Sequence, residues 1–142
     1  MSPTDNPRTQ LAWRFLPAIA CMIVIFTLSA QPALPQAPGL GDLTSVAGHF
    51  SVYFVLAILI WWALGVFEIE GRNRAVLAFT LAVLYGLTDE WHQSYVPGRV
   101  PDILDILTDA IGAATGLLLL HLAMRRWPTF TLWRDVTRAT NS

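Results

Sequence analysis

The sequence predicts an all-α integral membrane protein: four transmembrane helices, both termini on the cytoplasmic side, and an irregular outer loop between helices 1 and 2. Three observations predict this. Apolar residues make up 54% of the 142 positions and charged residues only 13%, with a mean hydropathy of +0.50, whereas a soluble domain carries roughly a quarter charged residues. Long apolar runs recur at residues 13–30, 49–67, 75–96 and 103–124, each close to the ~20 helical residues that cross a hydrocarbon core of about 30 Å. The arginines fall almost wholly on one side of those runs.

Span 13–30 carries only Arg14 at its inner edge. A signal-peptide reading would need cleavage after Ala30, but Leu28 fits poorly the small residue expected two positions earlier, and the apolar stretch is long. Residues 31–45 contain Pro32, Pro35, Pro38, Gly39 and Gly41, which interrupt a regular helix. The expected outer loop runs from Gln31 to Gly48. Span 49–67 is uninterrupted. Spans 75–96 and 103–124 carry acids in their outer portions and count as spans because a bundle can turn such residues inward. Tails of 1–12 and 125–142 flank the four-helix domain of 13–124.

Arg8 and Arg14 precede span 1, Arg72 and Arg74 join spans 2 and 3, and Arg125, Arg126, Arg134 and Arg138 follow span 4. Only Arg99 lies in a loop on the other side. Cytoplasmic loops retain basic residues, which places both termini inside. Trp13, Trp61, Trp62 and Trp127 near the inner ends, and Trp91 and Tyr95 near the outer end of span 3, suit the headgroup level. The net charge of −1 gives no electrostatic footprint for nucleic acid. The single Cys21 permits no internal disulfide.

This topology returns most unusual polar residues to one depth. His49 opens span 2, Asp89, Glu90, His92 and Gln93 close span 3, and Asp102, Asp105 and Asp109 descend into span 4, with Arg99 in the short loop between them. At about 100° per residue, Asp102, Asp105 and Asp109 share a stripe with Gly112 and Gly116. Asp89 and Gln93 share a face with Gly86, with Glu90 and His92 flanking it, and Trp91 and Tyr95 point nearly opposite. His49 and Tyr53 are an i, i+4 pair.

Each position also has a plainer reading. His49 and Tyr53 suit an interfacial histidine and tyrosine, Asp102 a helix N-cap, and Gly112 and Gly116 a close helix contact. The acids resist such a reading. A carboxylate at mid-membrane costs about 2.5–3.5 kcal/mol on the insertion scale, so Asp89, Glu90, Asp105 and Asp109 need Arg99, protons, a cation or water. Pairing between Arg99 and Glu90 or Asp105 is the expected arrangement.

The stretch Tyr85-Gly-Leu-Thr-Asp-Glu-Trp-His-Gln-Ser-Tyr-Val-Pro-Gly-Arg99, followed by Asp105-x-x-x-Asp109-x-x-Gly112, resembles the VanZ-like family of small bacterial membrane proteins. That family shows Asp-Glu-x-x-Gln-x-x-x-Pro-x-Arg, then Asp-x-x-x-Asn-x-x-Gly, with an upstream His-Phe-x-x-Tyr matched by His49, Phe50 and Tyr53. Val46 stands where the family often has lysine, and Asp109 where asparagine is usual. The resemblance implies a multi-pass protein of the bacterial cytoplasmic membrane. The family takes its name from low-level resistance to teicoplanin, a lipid-tailed glycopeptide.

The leading expectation is an outer-leaflet site for an amphiphile: a membrane lipid, a lipid-linked envelope molecule or a lipoglycopeptide. Arg99 would hold a phosphate or carboxylate. Glu90 and Asp105 would serve as acid–base or hydrogen-bonding groups, with His49 or His92 moving a proton, and Asp89, Gln93, Asp109 and Tyr53 would complete the binding surface. The residues leave open whether bonds are made or broken, and no motif requires a cofactor. The alternatives are a metal-dependent membrane hydrolase or transferase, using ligands from His49, Glu90, His92, Asp105 and Asp109 without any HExxH motif, a carrier, or a structural partner protein.

Overall fold

The computed structural model describes residues 7–32 and 41–127. Four long helices follow one another: α1 (Pro7–Ser29), α2 (Gly41–Ala63), α3 (Gly71–Gln93) and α4 (Ile103–Arg126), with a 3-10 turn at Leu64–Val66 after α2. No strand occurs among the described residues. Each helix has 23 or 24 residues, about 35 Å of rise. Three are long and apolar enough to cross a membrane, over Leu11–Ser29, Leu43–Val66 and Ile103–Arg126. The fourth, α3, falls short in hydropathy because Arg72, Arg74, Asp89 and Glu90 dilute its apolar residues.

Helix α2 is the hub and contacts the other three, most extensively α4. Its buried residues Tyr53, Leu56, Ala57 and Ile60 lie at helical spacing and, with Leu64 of the 3-10 turn, form one seam of the core. The faces that meet it are lined by small residues: Ala78, Ala82 and Gly86 on α3, and Gly112, Ala113 and Gly116 on α4. A Cβ at Gly116 would come within 2.6 Å of the Phe54 carbonyl oxygen, and one at Gly112 would collide with that of Phe50. The two glycines therefore let the α4 backbone rest on the α2 backbone. Large apolar side chains point outward instead, including Ile19, Ile23 and Val24 on α1, Leu77, Leu81 and Leu84 on α3, and Ile111 and Leu118 on α4. So much outward apolar surface marks a body built to sit among hydrocarbon.

Several expected boundaries move. Helix α2 begins at Gly41 rather than His49, because no proline after Pro38 blocks helical backbone there. His49 therefore sits in the third turn of α2, not at its mouth. Helix α3 ends at Gln93 rather than Val96. Pro97 disfavours helical backbone at Val96, and the chain leaves through tight turns in which Tyr95 N–H donates to the His92 carbonyl (3.1 Å) and Val96 N–H to that of Gln93 (2.9 Å). Helix α1 starts at Pro7 and α3 at Gly71, both earlier than expected, and α4 runs two residues on, to Arg126. Pro35, Pro38 and Gly39 of the expected outer loop, and Arg134 and Arg138 of the C-terminal tail, lie outside the described residues.

Candidate functional site: a polar cluster at one end of the bundle

The two ends of the bundle differ in chemistry. Where α1 and α3 begin and α2 ends, the Arg14 guanidinium lies 4.9 Å from the Trp62 ring centroid and that of Arg74 lies 3.6 Å from the Trp61 ring centroid. Arg14 Nη1 also donates to the Trp62 carbonyl at 3.4 Å. Such cation–π pairs of arginine and tryptophan suit a membrane–water boundary. Toward the other end, the carboxylates and imidazoles gather between the helices.

His49 is the centre of one group. Its Nδ1 lies 2.9 Å from Asp109 Oδ1, and its Nε2 lies 3.8 Å from Asp105 Oδ2. Asp105 and Asp109 are one helical turn apart, so α4 presents both carboxylates to the same ring across the seam with α2. The His49 and Tyr53 rings lie parallel, with centroids 6.5 Å apart. Tyr53 is fully buried. Gly86 of α3 makes this packing possible, since a Cβ there would meet Asp109 Oδ2 at 2.8 Å and Tyr53 Cε1 at 3.4 Å. Glu90 joins from α3: one oxygen each from Glu90 and Asp105 and one nitrogen of His49 all lie within 4.8 Å of one another.

Asp89 is the centre of the second group, between α1 and α3. Its Oδ2 accepts from Ser29 Oγ at 2.8 Å and from Gln93 Nε2 at 3.1 Å. Nearby, Tyr85 Oη donates to the Met22 carbonyl at 2.6 Å and fastens α3 to α1. Asp89 also borders a cleft of about 380 Å³, lined by Phe26, Tyr85, Thr88, Trp91, His92 and Tyr95. The His92 ring lies 4.2 Å from that of Phe26, centroid to centroid. Trp91 and Tyr95 stand exposed at its rim, as their helical phase predicts.

The α3–α4 loop closes this end. Pro97 and Gly98 occupy the central positions of a turn in which Arg99 N–H donates to the Val96 carbonyl at 3.1 Å. Gly98 has φ 79°, the left-handed value that a type II turn asks of its third residue. Asp102 caps α4, its Oδ1 accepting from Leu104 N–H at 2.9 Å. Its own N–H donates to Glu90 Oε2 at 3.0 Å. The N-cap reading of Asp102 holds, and the same residue anchors Glu90.

Several buried side-chain atoms here have no hydrogen-bond partner: Tyr53 Oη, Asp89 Oδ1, Glu90 Oε1, His92 Nδ1 and Asp109 Oδ2. Each such atom costs about 1–3 kcal/mol, and native interiors keep few of them. These atoms gather at the same end of the bundle as the carboxylates and imidazoles.

The motif order now has a geometry behind it, and a profile of the VanZ/LLP1 family matches residues 14–124. The chain belongs to the VanZ/LLP1 family. It is also similar to the uncharacterized protein C11E3.10 of Schizosaccharomyces pombe, 30% identical over a 113-residue alignment, with 76% of this chain and 65% of the relative covered. The chain thus spans slightly less than two thirds of that relative's length. No solved structure matches the chain.

Of the residues expected to form the site, this VanZ/LLP1 bundle brings His49, Tyr53, Glu90, Asp105 and Asp109 into one group and Asp89 and Gln93 into an adjoining one. His92 lies apart from the imidazole–carboxylate group, on the cleft side of α3. The expected pairing of Arg99 with Glu90 or Asp105 is replaced. Arg99 Nε donates to the Gln31 carbonyl at 3.3 Å, and among the described residues the ion pairs of Asp105 and Asp109 are with His49. The turn at Pro97–Gly98 carries Arg99 toward the end of α1, while the longer helical start of α2 delivers His49 down to the acids. Ser29 was missed. The signal available was depth: it is a hydroxyl in the last turn of α1, level with a buried carboxylate that needs a donor.

Proposed function

We propose that this VanZ/LLP1 protein spans the membrane four times and uses its polar end to bind, or act on, the head group of an amphiphile such as a lipid-linked cell-envelope component or a lipoglycopeptide. One observation carries the reading: Asp89 belongs both to the buried polar cluster and to the wall of the 380 Å³ cleft between α1 and α3. Polar and apolar receptors meet at one carboxylate, which is the requirement of a molecule with a head and a tail. The cleft receives the hydrocarbon beside the head group, between Phe26 and the exposed Trp91 and Tyr95.

The outward apolar residues of α3, from Val76 to Leu87, support counting it as the fourth span. Its acids do not argue against this, since Asp89 and Glu90 are each only 3% exposed and face the bundle. The Arg14 and Arg74 end is then cytoplasmic by the positive-inside rule. In the bacterial cytoplasmic membrane that the resemblance implies, the polar end opens to the outer leaflet. Glu90, Asp105 and His49 are the acid–base and hydrogen-bonding groups. Asp89, Gln93, Asp109, His92 and Tyr53 shape the receptor, and Arg99 at the rim offers its remaining N–H groups to an anion.

Drug sensitivity tests the reading. An acyl tail concentrates its bearer in the leaflet, each buried CH₂ adding about 0.8 kcal/mol. Expression in a sensitive bacterial host should alter sensitivity to teicoplanin more than to a tail-less glycopeptide. Glu90→Gln and Asp105→Asn should abolish the difference at equal membrane-inserted protein. Equal shifts for both drugs, or a difference that survives both substitutions, would contradict it.

A further inference from the structure

His49 poses a problem that hydrogen bonding inside the bundle leaves unsolved. With Asp109 a carboxylate, its Oδ1 accepts only, so Nδ1 at 2.9 Å carries the ring proton. Nε2 then turns a lone pair toward Asp105 Oδ2, which at 3.8 Å is too far for a hydrogen bond. Glu90 brings a third electron-rich atom to the same place. Glu90 is 3% exposed, its Oε2 is held by Asp102 N–H, and its Oε1 has no partner. Three electron-rich atoms converging in a buried place need a positive charge among them, either a proton on His49 Nε2 or a bound cation.

We infer that His49 Nε2, Glu90 and Asp105 form a binding site for a first-row divalent cation, with Asp109 as the outer carboxylate that orients His49. Geometry and chemistry both fit. Two ligands about 2.1 Å from a tetrahedral ion lie about 3.4 Å apart, and Nε2 and Oδ2 are already 3.8 Å apart. One imidazole and two carboxylates, drawn from three different helices, are ligands that zinc-like ions accept. A ligating histidine commonly gives its other ring N–H to a carboxylate, which is the part Asp109 plays. Three protein donors leave at least one coordination position for an oxygen from outside the protein. His92 and His121 take no part: His92 packs at a tilt against Phe26 beyond the cluster, and His121 is exposed on α4.

The site uses the residues that the amphiphile reading makes its acid–base groups, but its test needs the ion alone, so either reading can fail without the other. Full-length protein in mild detergent is stripped with a chelator and titrated with Zn²⁺, and bound metal is counted after gel filtration. About one ion per chain is expected. His49→Gln and Glu90→Gln should each weaken binding more than tenfold, Asp109→Asn should weaken it about 10–100-fold, and His121→Gln should leave it unchanged. Wild-type protein loaded with Co²⁺ gives a second readout free of folding defects: visible absorption bands of a four- or five-coordinate nitrogen–oxygen site, bleached by Zn²⁺. No stoichiometric metal, no such bands, or binding that survives Glu90→Gln and falls with His121→Gln would each overturn the assignment.

Discussion

His49 and Asp109 are 60 positions apart in sequence, yet Nδ1 of one lies 2.9 Å from Oδ1 of the other across the α2–α4 seam. Asp109 is 1% exposed, so the contact joins two helices at a place where water offers little replacement. Removing one partner of a buried pair costs about 3–5 kcal/mol. Asp109→Ala should accordingly lower the thermal midpoint in detergent sharply. Asp109→Asn keeps an acceptor for the His49 N–H and should cost about 1 kcal/mol. Equal losses in the two variants would contradict the arrangement.

The glycines of α4 should behave unlike Gly48 of α2. Gly112→Ala and Gly116→Ala place a methyl group against the carbonyls of Phe50 and Phe54 and should each destabilise by about 1–3 kcal/mol. Nothing lies within 4 Å of a Cβ at Gly48, so Gly48→Ala should be neutral or stabilise α2 by about 0.5–1 kcal/mol. Thermal unfolding of the three variants, followed by helical circular dichroism, checks the contrast.

Arg99 tests whether the loop serves binding rather than folding. Its only protein hydrogen bonds among the described residues are to main-chain carbonyls, through Nε to Gln31 and through its own N–H to Val96. Arg99→Ala should therefore cost about 1 kcal/mol or less in stability while reducing retention of an anionic amphiphile. Arg99→Lys should keep stability and lose planar recognition of the anion. A large loss of folded protein in Arg99→Ala would show that the guanidinium is structural.

The orientation of α3 is open to a direct chemical check. On a Cys21→Ala background, cysteine at Val100, which is 82% exposed in the α3–α4 loop, should react with an impermeant maleimide in intact cells. Cysteine at Gly71, at the opposite end of α3, should react only after permeabilisation. Labelling of both from the same side would remove α3 from the set of spans.

The four helices were legible because bilayer thickness and helical rise fix about how long an apolar run must be, and the runs of α1, α2 and α4 are close to or beyond that length. The polar stripe of α4 was legible from phase, and it does bring Asp105 and Asp109 to one ring. The start of α2 was not, because Gly41–Gly48 is a mixture of small, polar and apolar residues with two glycines and no apolar run to mark it as helix. The fate of Arg99 was hidden for a related reason. Net charge demands a cation near the acids, but only the turn at Gly98 determines which way the guanidinium leaves. It is His49 that stands beside the acids instead, at a depth that depends on where α2 begins. Ser29 and the cleft beside Phe26 arise from the α1–α3 contact, about which hydropathy says nothing.

The most direct test of the account is the occupant of the polar end. Full-length protein extracted from membranes in mild detergent, examined intact by native mass spectrometry, should carry an amphiphile that survives release from the micelle. Two kinds of variant should lose it while remaining helical and monodisperse: Glu90→Gln combined with Asp105→Asn at the polar cluster, and Phe26→Trp, which fills the cleft. Retention of the same adduct in both kinds, or wild-type protein that carries no adduct when prepared from native membranes, would contradict the claim that head and tail are received together at Asp89.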